Sequence, residues 1–284
     1  MGGEFEHIDK VLCAWRQGDA TLDDDVFLVH LADKRFPLTA VTRERAADVP
    51  DEDNNIFEVL SRVHGLVVVT QTCDVVRKCE DREYLEVSPL VKIEPDRIQE
   101  IKKRRTARYA YLPGLADRNL VADLDRTMTV EKAVVASWTR IQGCTTDAER
   151  VAFAEALARK RSRFAFPNGL NTGLKKFRER IKSKEGKATP EGQLIAALDI
   201  IRVQPSPNWD AEKVTISFWF LLEAGHTIDF DASRKVIESW ISLTKFTSPF
   251  VLANDTAFHL VEPQDMTVQD YLNSYPLDYD DISP

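Results

Sequence analysis

The segment VVVTQTCDVVRKC (67–79) is where this chain concentrates residue types that can do chemistry. An apolar run feeds directly into Thr70, Gln71, Thr72, Cys73 and Asp74, so a strand would end in hydroxyl, amide, thiol and carboxylate side chains. Polar groups at a strand end rest on a rigid scaffold and stay within reach of water or a ligand. Cys73 becomes a nucleophile if a base such as His30 or His64 lies within hydrogen-bond reach, with Asp74 or Gln71 orienting that base or donating to an oxyanion. The catalytic set expected on this reading is Cys73, Asp74, Gln71 and His64. The competing reading makes Cys73 an ordinary buried thiol, with Thr72 and Asp74 capping a turn.

Other chemistries find less support. Cys73 and Cys79 are separated by five residues and no His-x3-5-His pair accompanies them, so no metal and no cofactor are expected. The phosphate loop GxxxxGK[ST], the dinucleotide loop GxGxxG, the zinc motif HExxH and the elbow GxSxG are all missing from the sequence. The four cysteines are too scattered for a disulfide framework. No run approaches the roughly 18 apolar residues of a membrane span, and MGGEFEHIDK lacks the basic-then-apolar order of a signal peptide. A cytoplasmic protein without a membrane partner is the expectation.

Charge is informative through its distribution. The formal net charge is −8, yet Arg159 to Lys187 holds eleven Lys and Arg against Glu179 and Glu185, a local +9. A smaller basic group spans Lys102, Lys103, Arg104, Arg105 and Arg108. Phosphate contact is the functional reading, because Lys and Arg that displace counterions supply most sequence-independent nucleic-acid affinity. Arg104, Arg105, Lys175, Lys176 and Arg178 are the expected contacts to RNA or single-stranded nucleic acid. Tyr109 and Tyr111 alternate beside Arg108, so on a strand they share a face and could stack bases. The alternative is a solvated helix face, or a patch docked on acidic surface of the same chain.

The elements that would position these groups follow from periodicity. Residues 4–19 carry Phe5, Ile8, Leu12 and Trp15 at helical spacing. Short apolar segments follow at 26–31, 37–41, 65–71, 84–93, 108–114, 119–125 and 133–140, and most read as strands of a small barrel. Residues 56–63 and 95–105 read as helices between them. After Gly143 the pattern turns helical: 145–163 carries Val151, Ala154, Leu157 and Ala158 as a stripe, and 170–184 is a second helix. Residues 194–207 and 214–223 read as strands, and 232–246 as a helix started by Asp231. Three regions are expected: a β-barrel domain over 1–143, an α+β domain over 144–273, and an acidic tail over 274–284.

From residue 25 to 140 the order of elements resembles the MazF/PemK-like toxins, SH3-like barrels that cut mRNA. DDVFLVHL resembles their opening strand, GLVVVTQTCD the second core strand, YLEVSPLVKI the following strand with its proline, and LVADLDRTMTVEKAVV the closing strand, turn and helix. The resemblance implies an α+β chain opening with an SH3-like barrel that carries inserted helices, and a toxin-like or defence-related module engaging RNA or a protein regulator. The family's arginine precedes the second core strand, where this chain has His64 and Gly65. Its threonine follows the proline-containing strand, where this chain has Val91 and Lys92. An endoribonuclease-like protein with a degenerate active site is therefore implied. The alternative is a cysteine-dependent hydrolase using Cys73.

Overall fold

The computed structural model describes residues 5–50, 55–103, 106–254 and 256–277. Of the described residues 38% are helical and 25% lie in strands, which sets the class as α+β. The chain divides into two compact units, Met1–Arg161 and Ser162–Pro284.

The first unit contains strands β1 (Ala20–Thr21), β2 (Phe27–Asp33), β3 (Ile56–Arg62), β4 (Leu66–Val68), β5 (Tyr84–Lys92), β6 (Tyr109–Tyr111), β7 (Leu120–Asp123) and β8 (Met128–Glu131). Its helices are α1 (Glu6–Leu12), α2 (Ala40–Ala46), α3 (Thr72–Val75), α4 (Ile98–Lys102), α5 (Lys132–Ala136) and α6 (Asp147–Arg161). β5 is the spine of the sheet, because Val87 faces Val68 of β4 across one edge and Met128 of β8 across the other. β7 continues along β5 at Leu90–Lys92, and the extra residues between β7 and β8 form a turn capped by the Asp123 carboxylate on the Asp125 amide at 3.2 Å.

Period-2 alternation on β4 explains the layers around this spine. Val67 packs with Ala20, Leu90, Ala122 and Phe153. Leu66 and Val68 point the other way, into a cluster with Leu12, Trp15, Val75 and Val135. Burial on both faces accounts for the unbroken apolar run that the sequence shows here.

The sheet order is β1-β4-β5-β7-β6, with β8 on β5. No ladder joins β6 to β1 among the described residues, so the ladders do not form the closed barrel expected from the sequence. The segment 141–143 lies between these edges: Ala20 and Ile141 exchange backbone hydrogen bonds at 2.8 and 2.7 Å, and the Gly114 amide donates to the Gly143 carbonyl at 2.9 Å. A Cβ on Gly143 would sit 2.2 Å from the Gly18 carbonyl oxygen, so only glycine lets these backbones approach.

Several expectations are corrected here. Residues 56–63 form β3 rather than a helix, because Ile56 to Arg62 find a complete antiparallel partner in β2. Residues 37–41 lead into α2, which Thr39 starts with a reciprocal cap to Thr42. Residues 133–140 begin as α5, not a strand. The expected boundary at 143/144 moves to 161/162, because α6 inserts Phe153 and Ala156 into the core of the first unit. Val151, expected on the apolar stripe of α6, is exposed. The start of α6 follows a capping box, with the Thr146 hydroxyl accepting from the Glu149 amide at 3.2 Å and the Glu149 carboxylate accepting from the Thr146 amide at 3.1 Å.

The second unit contains α7 (Asn168–Lys184), α8 (Pro190–Ala197), β9 (Leu198–Ser206), β10 (Val214–Leu222), α9 (Phe230–Ile241), β11 (Phe250–Leu252), β12 (Phe258–Val261), α10 (Val268–Leu272) and β13 (Tyr275–Pro276). β9 is antiparallel to β10, whose other edge takes β11 and β12 in parallel. Ile216, Phe218 and Phe220 of β10 share a core with Leu174 and Phe177 of α7, Ile195 of α8 and Trp240 of α9. The stretch 194–207 therefore divides into the end of α8 and β9, and the α9 cap is Asp229, whose carboxylate accepts from the Ala232 amide at 3.0 Å. Tyr275 and Pro276 pair with β9, which removes them from the expected tail, and residues 278–284 lie outside the described residues.

Candidate functional site

The polar strand end forms one wall of a cleft of about 520 Å3 in the first unit. That volume falls in the range of roughly 300–1,000 Å3 typical of ligand sites. The cleft begins where β4 stops pairing regularly: the amides of Val69 and Thr70 both donate to the Glu86 carbonyl, at 3.0 and 3.4 Å. Two residues thus oppose one, a bulge that turns the chain away from β5 and into the single turn of α3. The Thr70 hydroxyl locks the turn by accepting the Glu86 amide at 2.6 Å. Gln17 supports it from below, donating its side-chain amide to the Val69 carbonyl at 2.7 Å and its backbone amide to the Thr72 hydroxyl at 3.1 Å.

The mouth of the cleft is lined with charge and one aromatic ring. Arg161, at the end of α6, donates to the Glu86 carboxylate at 2.5 Å, and its side chain is 64% exposed. Asp74 lies 3.5 Å from Arg77 and 3.9 Å from Arg82. Tyr84, two residues before Glu86 on β5, is 57% exposed. Ala154, Leu157 and Ala158 of α6 supply an apolar wall. Thr70, Gln71, Asp74, Arg82, Tyr84, Glu86 and Arg161 therefore converge on one space.

The expected catalytic set does not converge as a unit. Gln71 and Asp74 reach the cleft, and Cys73 is exposed beside them with its Sγ 3.7 Å from Gln71 Oε1. His64 lies exposed before β4 and is not among the residues that line the cleft. His30 is on β2, with Nδ1 buried and without a hydrogen-bond partner. No histidine lines this cleft, and among the described residues Cys73 Sγ has no hydrogen bond to a histidine. The buried thiols are Cys79 and Cys144, pushed up to about 11 and about 12, in both cases chiefly by burial. No group of three His, Cys, Asp or Glu side chains positioned to hold a metal occurs among the described residues.

The expected phosphate contacts are also redistributed. Lys175 and Lys176 are exposed on α7, but Arg178 is only 5% exposed, because its helix face packs inward with Leu174, Phe177 and Ile181. Arg104 and Arg105 lie outside the described residues. Within the +9 stretch, Lys160 pairs with Asp125, Arg161 with Glu86, and Arg180 and Lys184 with Glu191. The unit boundary also divides the stretch after Arg161. Tyr109 and Tyr111 pack against Ile93, Ile98 and Ile101, with Arg108 over one ring at 5.0 Å and Lys102 over the other at 4.8 Å, so they form no open stacking platform.

Arg82, Tyr84 and Glu86 are cleft residues that the sequence reading did not single out. Their signal is the alternation of Tyr84 and Glu86 on β5, which places both side chains on one face. Arg161 stood within the basic stretch without being assigned to any site. No helix of the described residues is long and apolar enough to cross a membrane. No family model, curated protein or solved structure matches this chain.

Proposed function

We propose that the first unit is an SH3-like barrel of the MazF/PemK pattern whose cleft binds single-stranded RNA, as a toxin-like or defence-related module that does not depend on cleavage for its action. The observation that carries this reading is the convergence of exposed Tyr84, Arg82 and Arg161 with the amide of Gln71 in one cleft. Single-stranded RNA is recognised by stacking on aromatic rings, by cations on the phosphates and by amides on the base edges. The bridge of Ala20 to Ile141 and the Gly114–Gly143 hydrogen bond support the barrel, since both lie in the gap between the sheet edges. Binding without cleavage is favoured because Arg161 holds Glu86, and Arg77 and Arg82 hold Asp74, so neither carboxylate is free as a base. Arg161 and Arg82 keep 64% and 56% of their side chains exposed and exchange the carboxylate for an incoming phosphate.

Fluorescence anisotropy with mixed-sequence oligoribonucleotides tests this. Two phosphate contacts on a single strand give a slope of about −1.4 in log affinity against log salt, or roughly sevenfold between 50 and 200 mM. Arg161→Ala should halve that slope, and Tyr84→Ala should weaken binding by about tenfold or more. Lys175→Glu, on α7, should leave both unchanged. Binding lost with Lys175→Glu and kept with Tyr84→Ala would move the site to α7. Absence of binding at low salt would remove RNA as the ligand and leave a protein regulator as the candidate occupant of the cleft.

A further inference from the structure

We propose that the open face of the β2–β3 hairpin is a self-recognition surface, on which two copies of this chain pack face to face with their β3 strands antiparallel. The hairpin is a two-stranded sheet with no ladder to the six-stranded sheet, and its outer edges carry no strand among the described residues. Such a ribbon is marginal in water by itself, and needs a covered apolar face to hold its register. The face with Leu28 and Val59 is buried, while Val29, Leu31 and Leu60 on the opposite face are exposed, Leu31 to 69% and Leu60 to 51%. Among the described residues, four of the sixteen exposed large hydrophobics, Val29, Leu31, Ile56 and Leu60, share this one face. This concentration exceeds the single, scattered exposures that ordinary surfaces tolerate. The face also opens on a groove of about 1080 Å3 that β8 and α5 help to line, which leaves room for inserted side chains.

Charge identifies the occupant. On β3, Glu58 and Arg62 lie two residues either side of Leu60 and share its face. Neither has an ion-pair partner within the chain among the described residues. A two-fold axis through Leu60, in the plane of contact and perpendicular to β3, exchanges the two ends of the strand. Each Arg62 then meets the partner copy's acidic position, and the apolar centre meets itself. An isologous contact requires this self-complementarity, whereas a patch of one charge sign would exclude it.

Sedimentation velocity of the full chain over about a hundredfold range of concentration reads the mass directly. The wild type should pass from monomer to dimer. Glu58→Arg and Arg62→Glu should each weaken the dimer by about tenfold or more, because each places like charges opposite one another twice. The double variant Glu58→Arg/Arg62→Glu should return to within about threefold of the wild type, since reversing both signs restores the match. All three variants are exposed changes, and circular dichroism checks that each keeps the wild-type fold. A chain that stays monomeric overturns the proposal. So does a dimer that the single variants leave unchanged, which would lie elsewhere, or a double variant as weak as the singles.

Discussion

Asp123 shows how a single side chain can be structural where its surroundings suggest a site. Its carboxylate is fully buried and receives Arg108 at 3.3 and 3.2 Å and Arg126 at 2.8 Å. Burial alone would raise its pKa, but the hydrogen bonds and charges of Arg108 and Arg126 prevail and hold it below the ordinary carboxylate value. The folded chain therefore binds this proton more weakly than the unfolded chain does. The stabilisation is complete above the unfolded carboxylate range, near pH 4, and is lost as pH falls through the lower folded value. Asp19 has the opposite sign: burial raises its pKa despite the 2.6 Å bond from Arg140, so its contribution is lost as pH rises through the raised value. Asp123→Asn should cost about 2 kcal/mol at pH 7, below the roughly 3–5 of a fully buried pair because both arginines remain partly solvated. The variant should also lose stability less steeply than the wild type in urea titrations below pH 4. An unchanged midpoint would show that the Arg108–Asp123–Arg126 cluster is not a stabilising one. At this scale the sequence was legible in residue type but not in partnership. Thr70 and Thr72 have the right chemistry for a site, yet their hydroxyls are taken by the amides of Glu86 and Gln17, both remote in sequence.

At the scale of elements, α6 decides where the first unit ends. Phe153 and Ala156 are buried with Ala20, Val67 and Leu112, and the same helix closes the cleft with Ala154, Leu157 and Ala158. Residues 1–161 should therefore fold cooperatively as a fragment, whereas 1–143 should be destabilised by about as much as a Phe→Ala change in a core, roughly 3–5 kcal/mol. Thermal unfolding of the two fragments by circular dichroism checks this. Equal midpoints would show that α6 is an accessory to the first unit. The helix itself was legible from its cap and composition, but its buried side was not, because Val151 and Phe153 fit neighbouring stripes equally well. The hairpin departs further from its local pattern. IFEVLSRV satisfies a short helical pattern locally, and only β2, whose Phe27 pairs with Arg62, makes it a strand. Its alternation, with Ile56, Glu58, Leu60 and Arg62 exposed, was the available signal, and the exposure of apolar residues on that face obscured it.

At the scale of the molecule, charge totals were misleading because they ignore partners. The +9 stretch is divided between two units, and Lys160, Arg180 and Lys184 answer carboxylates of their own unit. The α+β class was legible from the alternation of periodicities, whereas the sheet order rested on pairings as distant as Ala20 with Ile141, which no local pattern encodes. On the proposed reading recognition falls to the cleft, where a modest number of contacts replaces a broad basic surface. Photo-crosslinking of a 4-thiouridine oligoribonucleotide to the full chain, mapped by mass spectrometry, tests this most directly. Crosslinks confined to peptides containing Gln71, Arg82, Tyr84 and Arg161 are the predicted result. Crosslinks confined to α7, around Lys175, Lys176 and Lys182, would contradict it.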